Sequence, residues 1–327
     1  MPNYKIYAIG AALVDTEAKV SDSFLSNHAI EKGVMTLVDQ SRQEELIDSL
    51  NKNGSKLLKQ SGGSACNTVV AASQLGSKAY FGGKIADDDD GRLYADDLTQ
   101  AGVSHAFSPT THGVTGKCLV MVTSDAERTM NTFLGVSDEF AETEINQSAL
   151  AKSEWFYVEG YLQADDHRTA VVKSAVEFAK QQGVKVGLSL SDPFVAQLFA
   201  GNLKSVIGDG IDLIFCNKDE ALAFTGVDTI EQAAKELKAY AISFVITDGA
   251  KGATFFDGKS LSQVPGVEAK AIDTNGAGDM FAGAFLHAIT SGKSYQKAAE
   301  FANQAAAMVV ERFGPRLDKA DFEILKN

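Results

Sequence analysis

Short runs of apolar residues alternate with longer stretches of helical apolar spacing along most of the chain. Short apolar runs that are bounded by glycine or polar residues predict buried β-strands. Such runs fall at residues 5–10, 79–85, 155–158, 185–189, 213–216, 244–247 and 252–256. Helical spacing predicts α-helices over residues 65–75, 92–101, 167–182, 219–225, 229–238 and 281–289. This alternation predicts an α/β fold with a mostly parallel central sheet covered on both faces.

Two segments depart from the strand–helix alternation. Residues 14–38 mix polar and apolar positions around Gly33, which predicts edge strands of a separate small sheet. Residues 117–123 and 128–133 predict a hairpin that turns at residues 124–127. We therefore expect one large α/β core with a small β-sheet lid, formed by about residues 13–40 and 106–135.

Four consecutive aspartates, residues 87–90, precede the predicted helix over residues 92–101. A metal site is one interpretation of this run. Acidic side chains also cap helix N-termini and are stabilised by the positive end of the helix dipole. We interpret the run as a helix cap.

Composition narrows the classes of partner. The 327 residues carry a formal charge of -13, which disfavours a nucleic-acid partner because phosphate backbones require clustered basic residues. No apolar run approaches the roughly 20 residues of a membrane span, so no membrane partner is expected. Cys66, Cys118 and Cys216 are isolated from each other, which indicates reduced thiols. The first predicted strand leaves no room for a signal peptide, and we expect a cytoplasmic protein.

The most informative stretch is residues 271–281, which follows strand-like sequence and opens an apolar helix. Gly276 and Gly278 flank Ala277, so a ligand can approach the backbone closely. Free amides at a helix start carry partial positive charge and suit phosphoryl oxyanions. Asp279 follows directly and can accept a proton from an attacking alcohol. Positioning, charge stabilisation and a base are what phosphoryl transfer requires, so these four residues are the candidate catalytic set.

The string from Asp273 to Asp279 resembles the C-terminal signature of the ribokinase-like (PfkB) carbohydrate and nucleoside kinases. The resemblance extends from Gly10 to about Gly314 and implies a ribokinase-like three-layer sandwich, with residues 1–327 forming one kinase domain. It also implies ATP and Mg²⁺ as cofactors and a monomer or homodimer. There is no G-x-x-x-x-G-K-[ST] motif of the P-loop class.

The resemblance assigns further roles by position. Residues 62–67 are similar to the N-terminal signature, which implies that a diglycine and an asparagine bind substrate hydroxyls, and residue 15 matches the aspartate that holds the sugar ring. Residues 217–220 are similar to the N-x-x-E motif that orders magnesium-bound water. Potassium is implied beside the loop that begins at residue 273. The implied substrate-binding residues are Asp15, Gly62, Gly63 and Asn67. The implied nucleotide-binding residues are Asn217, Thr247, Gly249 and Asn303. The implied cation-binding residues are Glu220 and Asp273.

Three segments resemble adenosine kinases within this family. They are Asn275 in the C-terminal signature, residues 188–194, and residues 127–133, which look like a lid strand and would bring Arg128 and Asn131 to the substrate. The implied reaction is phosphorylation of the 5′-hydroxyl of a purine nucleoside, adenosine to AMP. Ala11 departs from the asparagine often found there in adenosine kinases. Ribokinase, fructokinase, guanosine or inosine kinase activity stays open, as does a catalytically silent nucleoside-binding protein.

Overall fold

The computed structural model describes residues 3–326, which form strands and helices in alternation as the sequence predicts. The strands are β1 Tyr4–Ile9, β2 Leu13–Lys19, β3 Met35–Leu37, β4 Leu58–Gly62, β5 Ala79–Gly82, β6 Val103–Ser104, β7 Gly116–Val122, β8 Arg128–Phe133, β9 Ser153–Glu159, β10 Lys185–Ser189, β11 Ile211–Asn217, β12 Ala241–Thr247, β13 Ala253–Phe256 and β14 Leu261–Val264. The helices are α1 Asp22–Asn27, α2 Gln40–Lys52, α3 Ser64–Gln74, α4 Asp89–Gln100, α5 Gln147–Leu150, α6 Asp166–Gln181, α7 Pro193–Leu198, α8 Ala200–Ile207, α9 Lys218–Thr225, α10 Ile230–Leu237, α11 Ala277–Thr290, α12 Tyr295–Val310 and α13 Lys319–Lys326.

The large sheet has the order β14-β13-β12-β11-β10-β9-β1-β5-β6. Its strands from β12 to β6 run parallel, and only β13 and β14 are antiparallel to their neighbours within residues 3–326. Helices α3, α4, α11 and α12 pack in the core on one face, and α6, α8, α9 and α10 in the core on the other. This confirms the predicted α/β fold with a mostly parallel sheet covered on both faces.

Strand β1 shows how the sequence supplies both cores. Ile6 and Ala8 belong to one buried cluster, whereas Tyr7 and Ile9 belong to the other. Successive side chains of a strand point to opposite faces, so a strand with helices on both sides must be apolar throughout. A short continuous apolar run is therefore the expected sequence pattern for the inner parallel strands of this sheet, from β12 to β5.

The second sheet, which we call the small sheet, has the order β3-β8-β7-β2-β4. The predicted hairpin is confirmed as antiparallel β7 and β8. The expectation of edge strands over residues 14–38 is partly wrong, because β2 lies between β7 and β4 and only β3 is at an edge. Helix α1, between β2 and β3, was not predicted. The small sheet also includes β4, which lies outside the expected ranges 13–40 and 106–135, and it packs against α2, which lies outside them from residue 41 onward.

Each face of the small sheet has a different neighbour. One face packs against α1 and α2, where Leu119 and Met121 of β7 join Leu25 and Leu46. The opposite face, called here the inner face, carries Asp15, Glu17, Cys118, Val120, Arg128 and Met130, which register and strand alternation place together. Its apolar members pack with Ala11 and Phe313 of the α/β core.

The aspartate run at residues 87–90 is a helix cap, as interpreted from the sequence. Asp88 is the N-cap of α4 and its carboxylate accepts a hydrogen bond from the Gly91 N–H at 2.7 Å. Asp89 and Asp90 lie in the first turn, where the helix dipole stabilises negative charge. Elsewhere in residues 3–326, no helix combines the length and the apolar character needed to cross a bilayer.

Candidate active site

The candidate residues gather where the carboxyl ends of the parallel strands face the inner face of the small sheet. In a parallel sheet the carboxyl ends of all strands lie along the same edge. Ligands of open α/β folds bind at this edge. Strands β9, β11 and β12 end in the polar residues Glu159, Asn217 and Thr247 at this edge. The loops that follow the strands therefore surround one cleft.

Gly276 begins α11 with φ 73°, a left-handed conformation that favours glycine. A Cβ at this position would lie 2.5 Å from Pro315 Cβ, so alanine would not fit. The backbone N–H groups of Gly276, Gly278 and Asp279 have no hydrogen-bond partner among residues 3–326. A Cβ on Gly278 would meet nothing within 4 Å, so this side of the helix start is open. Of the three amides expected to form the anion hole, those of Gly276 and Gly278 are therefore open, whereas the Ala277 N–H donates to the Thr274 carbonyl oxygen at 3.4 Å.

Asp279 lies at the mouth of this helix start and faces the start of α3. Its carboxylate accepts hydrogen bonds from Ser64 Oγ at 2.6 Å and from Asn67 Nδ2 at 3.3 Å. Burial raises the pKa of Asp279 to about 6, against the Ser64 hydrogen bond and the charge of Arg128, which lower it. The carboxylate is mainly ionised at pH 7 and still basic enough to accept a proton.

Asp15 of β2 is buried against Gly62 of β4, the strand that runs antiparallel to β2. A side chain on Gly62 would overlap the Asp15 carboxyl group, which explains the glycine. Gly63 has φ 91°, and a Cβ there would overlap the carbonyl oxygen of Ala11. The Asp15 carboxylate makes no hydrogen bond to any residue within 3–326. Burial raises its pKa to about 7, while the charge of Arg316 lowers it. Substrate hydroxyl groups would supply the missing donors.

Two side chains of the small sheet hold the loop that precedes the anion hole. Asn275 Nδ2 donates to Glu17 Oε1 at 3.2 Å, and Asn275 Oδ1 accepts from Arg128 Nη1 at 3.4 Å. Glu17 is 0% exposed, and its second carboxylate oxygen has no hydrogen-bond partner among the described residues. Burial, with the charges of Asp15 and Asp273, raises the pKa of Glu17 to about 8.

Asn131 does not join this cluster. It pairs in register with Leu119, on the face of the small sheet that packs against α2. Its backbone carbonyl oxygen accepts a hydrogen bond from Gln43 of α2 at 3.3 Å. The structure therefore contradicts a direct substrate contact for Asn131, and we leave it out of the site.

The expected nucleotide-binding residues lie at the ends of β11 and β12 and on α12. Asn217 and Thr247 are register partners, and Gly249 occupies the turn that follows Thr247 with φ 51°. Asn303 of α12 donates from Nδ2 to the Pro265 carbonyl oxygen at 2.9 Å. A Cβ on Gly266, the next residue, would overlap the carbonyl oxygen of Ala250, so this loop abuts the turn at Gly249.

The two expected cation-binding residues are buried carboxylates with donors of their own. Glu220 accepts from the backbone N–H of Asn217 at 3.0 Å and from Asn217 Nδ2 at 2.7 Å, and burial raises its pKa to about 7. Asp273 accepts from the backbone N–H groups of Asn275 at 2.8 Å and Gly314 at 2.9 Å. Across residues 3–326, no three His, Cys, Asp or Glu side chains converge as a metal-ligand group.

The sequence argument missed three residues of this cluster. Ser64 was quoted in the N-terminal signature without a role. Glu159 accepts from the backbone N–H groups of Ala11 at 2.7 Å and Ala65 at 2.8 Å, and so joins the ends of β1 and β9 to the start of α3. A charged residue ending an apolar parallel strand is a signal that could have identified it. Arg316 is buried among these groups and lay beyond every quoted motif.

Comparison with known proteins shows that this chain is similar to kinases of one family. The sequence matches the pfkB family carbohydrate kinase model over residues 34–321. A ribokinase from Haemophilus influenzae is 31% identical over 264 residues, covering 77% of this chain and 82% of that protein. The structure superposes on a probable sugar kinase protein from Rhizobium etli with a TM-score of 0.94 and 30% identity, covering 100% of this chain and 98% of the other. An adenosine kinase from Sinorhizobium meliloti gives a TM-score of 0.90 and 31% identity, covering 96% of both chains.

Proposed function

The chain belongs to the pfkB family of carbohydrate kinases and is a phosphotransferase acting on a hydroxyl group, and from this premise we propose that it phosphorylates the 5′-hydroxyl of adenosine with ATP. The observation that carries the proposal is the pairing of Asp279 with free backbone amides at the start of α11. That pairing supplies a base and an anion hole within one helical turn. The family match over residues 34–321 and the similar solved structures confirm the resemblance to ribokinase-like kinases at the level of family and fold.

Asp279 acts as the general base in the proposed reaction. Its pKa of about 6 leaves it ionised at neutral pH, and Ser64 and Asn67 hold the carboxylate in one orientation. The substrate hydroxyl loses its proton to Asp279 as its oxygen attacks the terminal phosphorus of ATP. The bond from that phosphorus to the bridging oxygen breaks, and ADP leaves with the bonding electron pair. The N–H groups of Gly276 and Gly278 stabilise the negative charge on the phosphoryl oxygens.

Asp15 grips the substrate in this proposal. Its two carboxylate oxygens can accept hydrogen bonds from a vicinal diol, as on a ribose ring. Gly62 leaves space for the Asp15 carboxyl group and Gly63 for the Ala11 carbonyl oxygen, and Asn67 presents its amide next to Asp279. A free sugar and a ribonucleoside both offer such a diol, so these residues do not discriminate between the two.

A strip of apolar side chains on the inner face favours a nucleoside over a free sugar. Met35 of β3 pairs in register with Met130 of β8, and Leu37 pairs with Thr132. Leu37 is 55% exposed, although it lies on the face that carries Asp15. An adenine ring needs flat apolar walls, whereas a free pentose or hexose has no group to cover them. The adenosine kinase from Sinorhizobium meliloti is consistent with this choice.

The nucleotide and the cations occupy the other side of the cleft in the proposal. Thr247, Gly249 and Asn303 border ATP. Glu220 lies within electrostatic reach of Arg128 and Asp279, so it fits a magnesium ion held through water, which neutralises phosphate charge. Asp273 is 0% exposed, and each of its oxygens keeps a free lone pair, which fits a potassium ion beside the loop. Activity compared in potassium and sodium salts tests the potassium assignment.

A coupled ADP-release assay tests the substrate. Purified protein is given ATP and magnesium with adenosine, inosine, guanosine, ribose or fructose in parallel. We expect the highest kcat/KM with adenosine and formation of AMP. Turnover of ribose or fructose with no turnover of any nucleoside would refute the nucleoside proposal and leave the kinase assignment intact. A ribokinase is the second candidate, supported by the 31% identity to the Haemophilus influenzae protein.

A further inference from the structure

Arg316 lies against α3, α4 and the end of β4, and its guanidinium is surrounded by acceptors. Nε donates to Asn67 Oδ1 at 3.1 Å, and Nη1 donates to Asp97 Oδ2 at 2.9 Å. Nη2 donates to the carbonyl oxygen of Ser61 and, at 2.9 Å, to its Oγ. The side chain is 12% exposed. Every nitrogen of this guanidinium is therefore committed to a neighbour.

The contact with Asn67 decides which way its amide points. A guanidinium has donors and no acceptor, so the atom of Asn67 that faces Arg316 must be the carbonyl oxygen. The amide nitrogen is then turned toward Asp279, to which it donates at 3.3 Å. The ionised Asp279 carboxylate only accepts hydrogen bonds and favours the same orientation, so loss of Arg316 would remove one of the two contacts that hold the Asn67 amide.

Arg316 also brings positive charge to a site crowded with carboxylates. Its charge lowers the pKa of Asp15 and of Asp279, which burial raises. Asp97, 33% exposed, is its direct ion-pair partner. The other titratable or charged groups within electrostatic reach of Asp279 are Asp15 of β2, Arg128 of β8, Tyr157 and Glu159 of β9, Tyr161 after β9, and Glu220 of α9.

The same short segment supports the anion hole. Pro315 packs against Gly276, whose Cβ would lie 2.6 Å from Pro315 Cα. Gly314 donates its backbone N–H to Asp273 at 2.9 Å. Residues 314–316 therefore contact the anion-hole loop on one side and the substrate-binding asparagine on the other.

We propose that Arg316 is a positioning residue for phosphoryl transfer, which holds the Asn67 amide toward Asp279 and places a positive charge beside the site carboxylates. This rests on the proposed role of Asp279 as the base. A purely structural role for Arg316 would lower the stability of the fold without altering the titration of Asp279, so the two roles differ in a measurable quantity.

The test compares Arg316→Met and Arg316→Lys with the wild type, with Arg312→Met as the control. Arg312 lies in the same segment and pairs with buried Asp321, so its loss strains the fold away from the site. We measure the pH dependence of kcat/KM with the best substrate of the panel. We also measure the pKa of Asp279 by ¹³C NMR of carboxyl-labelled protein, which needs no substrate.

We expect Arg316→Met to raise the pKa of Asp279 by about half a unit, since the charge of Arg316 is the smallest of the effects that lower it. The variant should also lower kcat/KM at pH 7 about 100-fold, since the charged hydrogen bond to Asn67 is lost as well. Arg316→Lys keeps the charge but not the fork of donors, so its kcat should fall about tenfold with little change in the pKa. Arg312→Met should change neither quantity. An unchanged Asp279 pKa and near-normal kcat/KM in Arg316→Met would overturn the proposal.

A second variant keeps the test decisive if Arg316→Met does not fold. Asp97→Asn retains an oxygen for Arg316 and Ser61 but removes the negative charge that offsets the guanidinium. The pKa of Asp279 should then fall by about half a unit. A pKa that stays constant or rises would contradict the proposal. Failure of the proposed function would give a different result. The wild type would then phosphorylate no substrate of the panel, while the Arg316 and Asp97 variants would still shift the pKa of Asp279 in the NMR titration.

Discussion

Ser64→Ala removes the shortest hydrogen bond to the proposed base. Ser64 Oγ donates to Asp279 at 2.6 Å, and this bond lowers a pKa that burial raises to about 6. A hydrogen bond to a charged group contributes about 1.5–3 kcal/mol, and one pKa unit corresponds to about 1.4 kcal/mol. The pKa of Asp279 in the variant should therefore rise by about 1–2 units, to about 7–8.

The assay is the pH dependence of kcat/KM between pH 5 and pH 9. A base is active when deprotonated, so the wild-type rate rises with pH through about pH 6. The kcat/KM of Ser64→Ala should rise at higher pH than that of the wild type and approach the wild-type value only near pH 9. Ser73→Ala is the matched control, because Ser73 lies on the same helix and donates to the Ala101 carbonyl oxygen instead. A uniform loss of rate at every pH, with no shift of the acid limb, would refute the reasoning.

Two further substitutions probe the buried carboxylates. Glu17→Gln should stabilise the fold at alkaline pH: the pKa of Glu17 is raised from 4.5 to about 8, so the wild type loses stability as pH rises through that window. Urea titrations give the unfolding free energy of the variant minus that of the wild type. This difference should grow by up to about 4 kcal/mol between pH 5 and pH 8.5. A difference that does not change with pH would contradict the assignment. Gly62→Ala should displace the Asp15 carboxylate and raise KM for the phosphate acceptor about 10- to 100-fold without changing KM for ATP. Gly201→Ala, where a Cβ meets nothing within 4 Å, is its control, and equal KM values in the two variants would refute the assigned contact.

The inner parallel strands of the large sheet could be predicted from the sequence because they are buried on both faces and mainly apolar, whereas the edge strand β6, with an exposed Ser104, was not predicted. Helix α2 escaped prediction because only Leu46, Leu50 and Gln43 are buried in thirteen residues. Strand β4, Leu58–Gly62, escaped because its polar residues show no alternation. Its strand character depends on pairing with β2, which no local pattern reveals.

The site was predictable where function resides in a local motif. Residues 276–279 lie within one helical turn, so their spacing alone is enough to predict a base beside open backbone amides. Arg316 could not be found in this way, because it lies 249 residues from Asn67 along the chain. Asn131 shows the opposite error. It is three residues from Arg128 in a predicted strand, and strand alternation alone places the two side chains on opposite faces.

Replacement of Asp279 by asparagine tests the central claim most directly. The substitution keeps the shape of the side chain and removes its basicity. We expect turnover in the ADP-release assay to fall by about 1,000-fold or more, while ATP binding measured by calorimetry stays within about threefold of the wild type. Turnover close to the wild-type value in a folded Asp279→Asn protein would contradict the claim that this carboxylate accepts the proton of the substrate hydroxyl.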